Sequence, residues 1–114
     1  MRPFSSARAN ADRRAQTRDA VNRRAKVLDR QFALDATIRD LSGSGARLSF
    51  SGGRTPSADT FIVVDLGVAL GHEARVIWRK GDECGVRILK TQDLRGLVPG
   101  QFDAAKRIWQ ATGR

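Results

Sequence analysis

Two alternating runs flank a glycine- and serine-rich turn, and this pattern restricts the chain more than any other. Leu34, Ala36 and Ile38 alternate with Asp35, Thr37 and Arg39; after Asp40-Leu41-Ser42-Gly43-Ser44-Gly45, Ala46, Leu48 and Phe50 alternate with Arg47 and Ser49. Period-two alternation on both sides of such a turn predicts a β-hairpin with one apolar face. Asp40 falls in phase with that apolar face, so its carboxylate is expected to be paired or to sit at the solvated rim of a sheet. The tip offers an anionic acceptor (Asp40), a hydroxyl (Ser42) and glycines that allow close approach of backbone. An ordinary polar turn has the same composition, and the hexapeptide alone does not separate the two.

The rest of the chain continues the β pattern. Val21 to about Asp29 predicts a first strand, with Arg23, Arg24 and Lys26 as solvated outer-face charges. Ser51 to Ser57 is a loop by composition. Thr60-Phe-Ile-Val-Val-Asp65 is a strand whose continuous apolarity implies burial on both faces. Gly67 and Gly71 bracket a turn, and His72 beside them is read as a loop residue. Ala74, Val76 and Trp78 alternate with Arg75, Ile77 and Arg79; Lys80 to Glu83 is a turn; Val86 and Ile88 alternate with Arg87. Six short antiparallel strands favour a closed barrel, because closure removes exposed edges. Phe102, Ala105, Ile108 and Trp109 then recur at helical spacing, so an amphipathic helix closes the chain.

Residues 1–20 differ. Phe4 and scattered alanines are all they can bury, so this arm cannot offset its own ordering entropy and is expected to move in the free protein. The expected organisation is an arm over 1–20 and a barrel with its helix over 21–112. Charge concentrates at the same end: residues 1–30 hold nine Lys/Arg against three acids, +6 of the net +9. Such a tail calls for an anionic partner.

Arg14-Ala15-Gln16-Thr17-Arg18, followed by Asp40-x-Ser42-x-x-Gly45, resembles the two-part motif of the PilZ domain family, RxxxR then [D/N]xSxxG. Glu73 to Arg79 and Gly85 to Ile88 look like that family's fifth and sixth strands, and the resemblance runs from about residue 12 to 110. It implies a six-stranded β-barrel with a C-terminal helix that serves as a receptor for the second messenger cyclic di-GMP. By the same resemblance, Arg14 and Arg18 would contact phosphate and the O6/N7 edge of guanine, with Arg13 as a further guanidinium. Asp40 would accept from guanine N1–H and N2–H₂, Ser42 would donate to phosphate or base, and Gly45 would keep the surface open. Trp78 has two readings: a core residue in phase with Ala74 and Val76, or a ring beside the ligand as in some family members.

No cofactor is expected beyond that ligand. One cysteine and one histidine leave no disulfide framework and no Cys/His zinc site. Cys84 reads as a small buried filler. No nucleotide-hydrolase phosphate loop, nucleophile elbow or Cys/His pair is present, so catalysis is not expected. The longest apolar run, Phe61 to Val64, is far short of a membrane span, and a cytoplasmic protein is expected. Two other readings compete: a ligand-free adaptor acting through a protein partner, and a basic barrel binding nucleic acid. Intact motif residues count against the first. Absence of tyrosine and of an aromatic stacking platform counts against the second. A receptor with no attached output domain is expected to signal through a downstream protein.

Overall fold

A computed structural model describes residues 19–30, 32–52 and 55–112. Six strands follow in chain order: β1 (Asp19–Asp29), β2 (Phe32–Leu41), β3 (Gly45–Phe50), β4 (Thr60–Asp65), β5 (Leu70–Lys80) and β6 (Glu83–Asp93). Every pairing is antiparallel, and the order β1-β2-β3-β6-β5-β4 closes on itself through β1 and β4. A 3₁₀ turn (Gly100–Phe102) leads into the one helix among the described residues, α1 (Asp103–Thr112). The expected barrel and helix are therefore both present. β1 begins at Asp19, two residues before the expected Val21.

The inward positions explain how a six-stranded barrel stays filled. Ala25, Ala36, Ala46 and Ala74 alternate with Val27, Ile38, Leu48, Phe50, Phe61, Val63 and Val86, so small and large side chains interlock in a narrow interior. Cys84 belongs to this core, and burial pushes its thiol up to about 11, which leaves it a packing residue. A second cluster lies outside the barrel wall, where Val64, Leu66 and Leu94 meet Phe102 and Ala105. β4 is thus buried on both faces, as its unbroken apolarity requires. Gly71 makes the helix seat possible: a Cβ there would lie 3.0 Å from the Phe102 ring and 3.2 Å from Leu94.

Four sequence expectations are corrected by the structure. Asp40 is not on the apolar face. Ile38 pairs with Leu48 while Asp40 pairs with the very next residue, Arg47, so Arg39 is the extra residue of a β-bulge. Trp78 is not in phase with Val76 either. Val76 pairs with Val86 and Trp78 with Gly85, so Ile77 is extra and Trp78 swings outward, 41% exposed. Each bulge reverses the alternation beyond it.

The third and fourth corrections concern one end of the barrel. Arg23 is not a solvated surface charge; it donates through Nε to both oxygens of Asp65 (3.1 and 3.0 Å) and through a terminal nitrogen at 2.7 Å. Asp65 has no accessible surface, and it also accepts from the Gly67 amide at 3.3 Å. His72 lies on β5 rather than in a loop, 5% exposed, with Nδ1 2.8 Å from the Thr91 hydroxyl and, among the described residues, no hydrogen-bond partner at Nε2.

His72 has a consequence for pH. Burial lowers its pKa below the ordinary value of 6.5, and Arg23 adds to this against an opposing pull from Asp65. Below about pH 6.5 the unfolded chain takes up a proton that the folded one resists, so stability falls on acidification through that window. Denaturant titrations at pH 7.5 and 5 should show a larger loss for the wild type than for His72→Gln. Equal losses would show that His72 is not responsible.

Candidate functional site

Once the two bulges have turned Asp40 and Trp78 outward, cross-strand register aligns them. Asp40 on β2 pairs with Arg47 on β3, Arg47 with Gly85 on β6, and Gly85 with Trp78 on β5. One row of four residues crosses four strands, roughly 14 Å at ordinary strand spacing.

Its acidic end is tightly held. Arg47 donates from Nε to Asp40 Oδ2 at 2.9 Å and from a terminal nitrogen to both Glu83 oxygens at 3.2 and 3.3 Å. The Asp40 hydrogen bond, followed by the field of both acids, raises the Arg47 pKa above its already high value. The arginine therefore stays charged and fixes the orientation of the carboxylate.

The aromatic end depends on glycine. A Cβ at Gly85 would lie 2.1 Å from Trp78 Nε1 and 2.5 Å from Cε2, so the indole occupies the space a side chain would need. Packed on backbone below and exposed above, the ring is a platform for a second flat group. This exposed ring corrects the expectation that the barrel's outer face carries no aromatic platform.

The hairpin tip lies beside Asp40. Ser42 Oγ accepts from the Gly45 amide at 3.2 Å and donates to the Gly45 carbonyl at 3.3 Å, while the Ser42 amide reaches the same carbonyl at 2.8 Å. The hydroxyl fastens its own turn. Gly45 is buried, and a Cβ would lie 2.9 Å from the Val86 carbonyl oxygen, so close strand packing alone requires glycine there.

Arg13, Arg14 and Arg18 lie outside the described residues. The chain that follows them enters the barrel at Asp19, which pairs with Leu41, and Ala20 pairs with Asp40 itself. Of the named site residues, register aligns Asp40 and Trp78 in one row, while Ser42 and the buried Gly45 form the turn that follows Asp40. Sequence reasoning missed Arg47, Glu83 and Gly85. A glycine inside a strand pattern is a signal of close approach, but only the register shows what approaches it.

Among the described residues, no group of three or more His, Cys, Asp or Glu side chains could hold a metal ion, and no helix is long and apolar enough to cross a membrane. The PilZ domain family matches residues 12–97, which include every residue of the row and both arginines of the RxxxR motif. The chain belongs to the PilZ domain family, whose members are cyclic di-GMP-binding-type receptor domains and not typically enzymes. The match ends before the C-terminal helix. No curated protein sequence matches the chain.

Proposed function

We propose that this protein is a cytoplasmic cyclic di-GMP receptor that grips its ligand between the arginines of the N-terminal arm and the row from Asp40 to Trp78, and signals through a protein partner. The observation that carries this reading is the alignment of a fixed carboxylate and an exposed indole on one surface beside the root of the arm. Cyclic di-GMP presents two phosphates and two guanines. Asp40 accepts from guanine N1–H and N2–H₂, the donors that adenine lacks, and Arg47 keeps it aimed. Trp78 stacks on a base. Arg14 and Arg18 meet phosphate or the O6/N7 edge, for which a planar guanidinium is the better fork. Arg14 is five residues from Asp19, a reach of roughly 17 Å, enough to cover the row.

Ser42 and Gly45 act mainly by shaping the tip that presents Asp40. The arm, with a surplus of like charge and little apolar surface, orders when ligand phosphate neutralises part of it. Ligand and ordered arm then form a composite surface for the partner. Titration with cyclic di-GMP, and with GTP and single-stranded oligonucleotides as competitors, tests the reading. Selective binding of the cyclic dinucleotide supports it; preference for oligonucleotides makes the barrel a nucleic-acid binder, and no binding to either makes it a ligand-free adaptor.

The platform makes a separate prediction. Base–aromatic stacking contributes about 1–3 kcal/mol per base, so Trp78→Ala should weaken cyclic di-GMP binding at least fivefold. Gly85→Ala should do the same without touching a ligand contact, because it displaces the ring. Calorimetry on both variants checks this; full affinity in Gly85→Ala would remove Trp78 from the site.

A further inference from the structure

A groove runs along the seam between β1 and α1, away from the row just described. Its apolar lining comes from Leu28, Ala33, Ile108 and Ala111, and the cavity measures about 450 Å³. Arg30 and Arg107 stand at its margin. Lys26 also borders it but is paired with Asp35 at 2.6 Å, whereas neither arginine has an ion-pair partner among the described residues.

Arg30 occupies the two-residue turn between β1 and β2, where Asp29 pairs with Phe32, and its φ of +62° is the left-handed conformation that so short a hairpin demands. The turn places one of the two guanidiniums at the groove.

We infer that this groove is the docking site for an acidic, aliphatic-bearing segment of a partner protein. Aliphatic side chains fill the floor between Leu28 and Ile108, and Glu or Asp on the segment pairs with Arg30 and Arg107. The chain's own N-terminal arm has the wrong charge to occupy it, with five cations against two acids in residues 1–20. A second copy, at net +9, is repelled in the same way. Nucleic acid would satisfy the arginines and leave the apolar floor unfilled. A flat lipid surface would not reach a concave floor. In the closed strand order β1 lies opposite β6, so the groove and the Asp40–Trp78 surface can be occupied together.

This inference rests on the reading of the protein as a receptor with a protein partner, but its test needs no nucleotide. A randomised peptide library displayed on phage is selected against the full chain, and the recovered peptides are synthesised and titrated. The expected peptides combine Glu or Asp with Leu or Ile. Arg30→Glu with Arg107→Glu should weaken them at least tenfold, and the doubly reversed protein should select Lys- or Arg-bearing peptides instead. Ala111→Trp, an exposed position whose substitution spares the core, should block binding sterically. Amide shifts should fall on Leu28, Ala104 and Ile108. Failure to recover peptides, recovery of neutral or basic ones, or indifference to both variants would overturn the inference. So would a dimer closed over the groove in sedimentation, or loss of peptide to phosphatidylglycerol vesicles. Cyclic di-GMP affinity measured on the same variants keeps the two readings apart, since groove substitutions should leave it unchanged.

Discussion

Arg23→Ala is expected to lower the unfolding free energy by about 3 kcal/mol, the largest stability effect anticipated for any single charged residue of the barrel. Asp65 has no accessible surface, and its carboxylate takes three close contacts from the Arg23 guanidinium. Removing one member of a buried pair leaves the other charge unpaired in low dielectric, which costs about 3–5 kcal/mol. The lower end applies because the guanidinium itself keeps some contact with water. Replacing both partners by apolar residues of similar size should recover much of the loss, since no buried charge then remains. Arg24→Ala, one residue away and exposed, should change stability by less than about 0.5 kcal/mol. Urea titrations read both results as midpoints at an unchanged slope. Equal, small effects at Arg23 and Arg24 would show that the ion pair does not hold this end of the barrel.

The other large effect concerns the ligand. Arg14→Ala and Arg18→Ala should each remove charge-assisted contacts to phosphate or guanine worth about 1.5–3 kcal/mol, a loss of tenfold or more in affinity for cyclic di-GMP. Arg24→Ala should be neutral here too. Asp40→Ala should reduce affinity and erase the preference for guanine over adenine without unfolding the protein, because Arg47 keeps Glu83 as a partner. Calorimetry with cyclic di-GMP and cyclic di-AMP separates these outcomes. Comparable losses for all the arginine substitutions would describe diffuse attraction by a basic tail, and wild-type protein that bound both dinucleotides alike would remove Asp40 from base recognition.

The barrel was legible because alternation in each strand is a local property. The double-faced burial of β4 followed from its unbroken apolar run, and α1 from the spacing of Phe102, Ala105, Ile108 and Trp109. Misreadings arose where geometry depends on two strands at once. An extra residue at Arg39 or Ile77 leaves no mark on its own strand's composition, yet it turns Asp40 and Trp78 to the outside. Arg23 and Asp65 lie 42 residues apart, and only barrel closure shows that one neutralises the other. His72 beside Gly71 has the composition of a loop; it is a strand residue because β5 begins at Leu70. The motif residues could be named in sequence, but Arg47 and Gly85 acquired roles only through register.

Amide hydrogen exchange with and without cyclic di-GMP tests the central claim most directly, because it locates the ligand and the moving part together. Protection should rise in residues 8–20 and around 40–47, with a smaller rise near Trp78 and Gly85. It should change little in β4 near 61–65 or in α1 near 103–110. An arm already protected without ligand, or protection gained chiefly outside the arm and the Asp40–Trp78 row, would contradict the account.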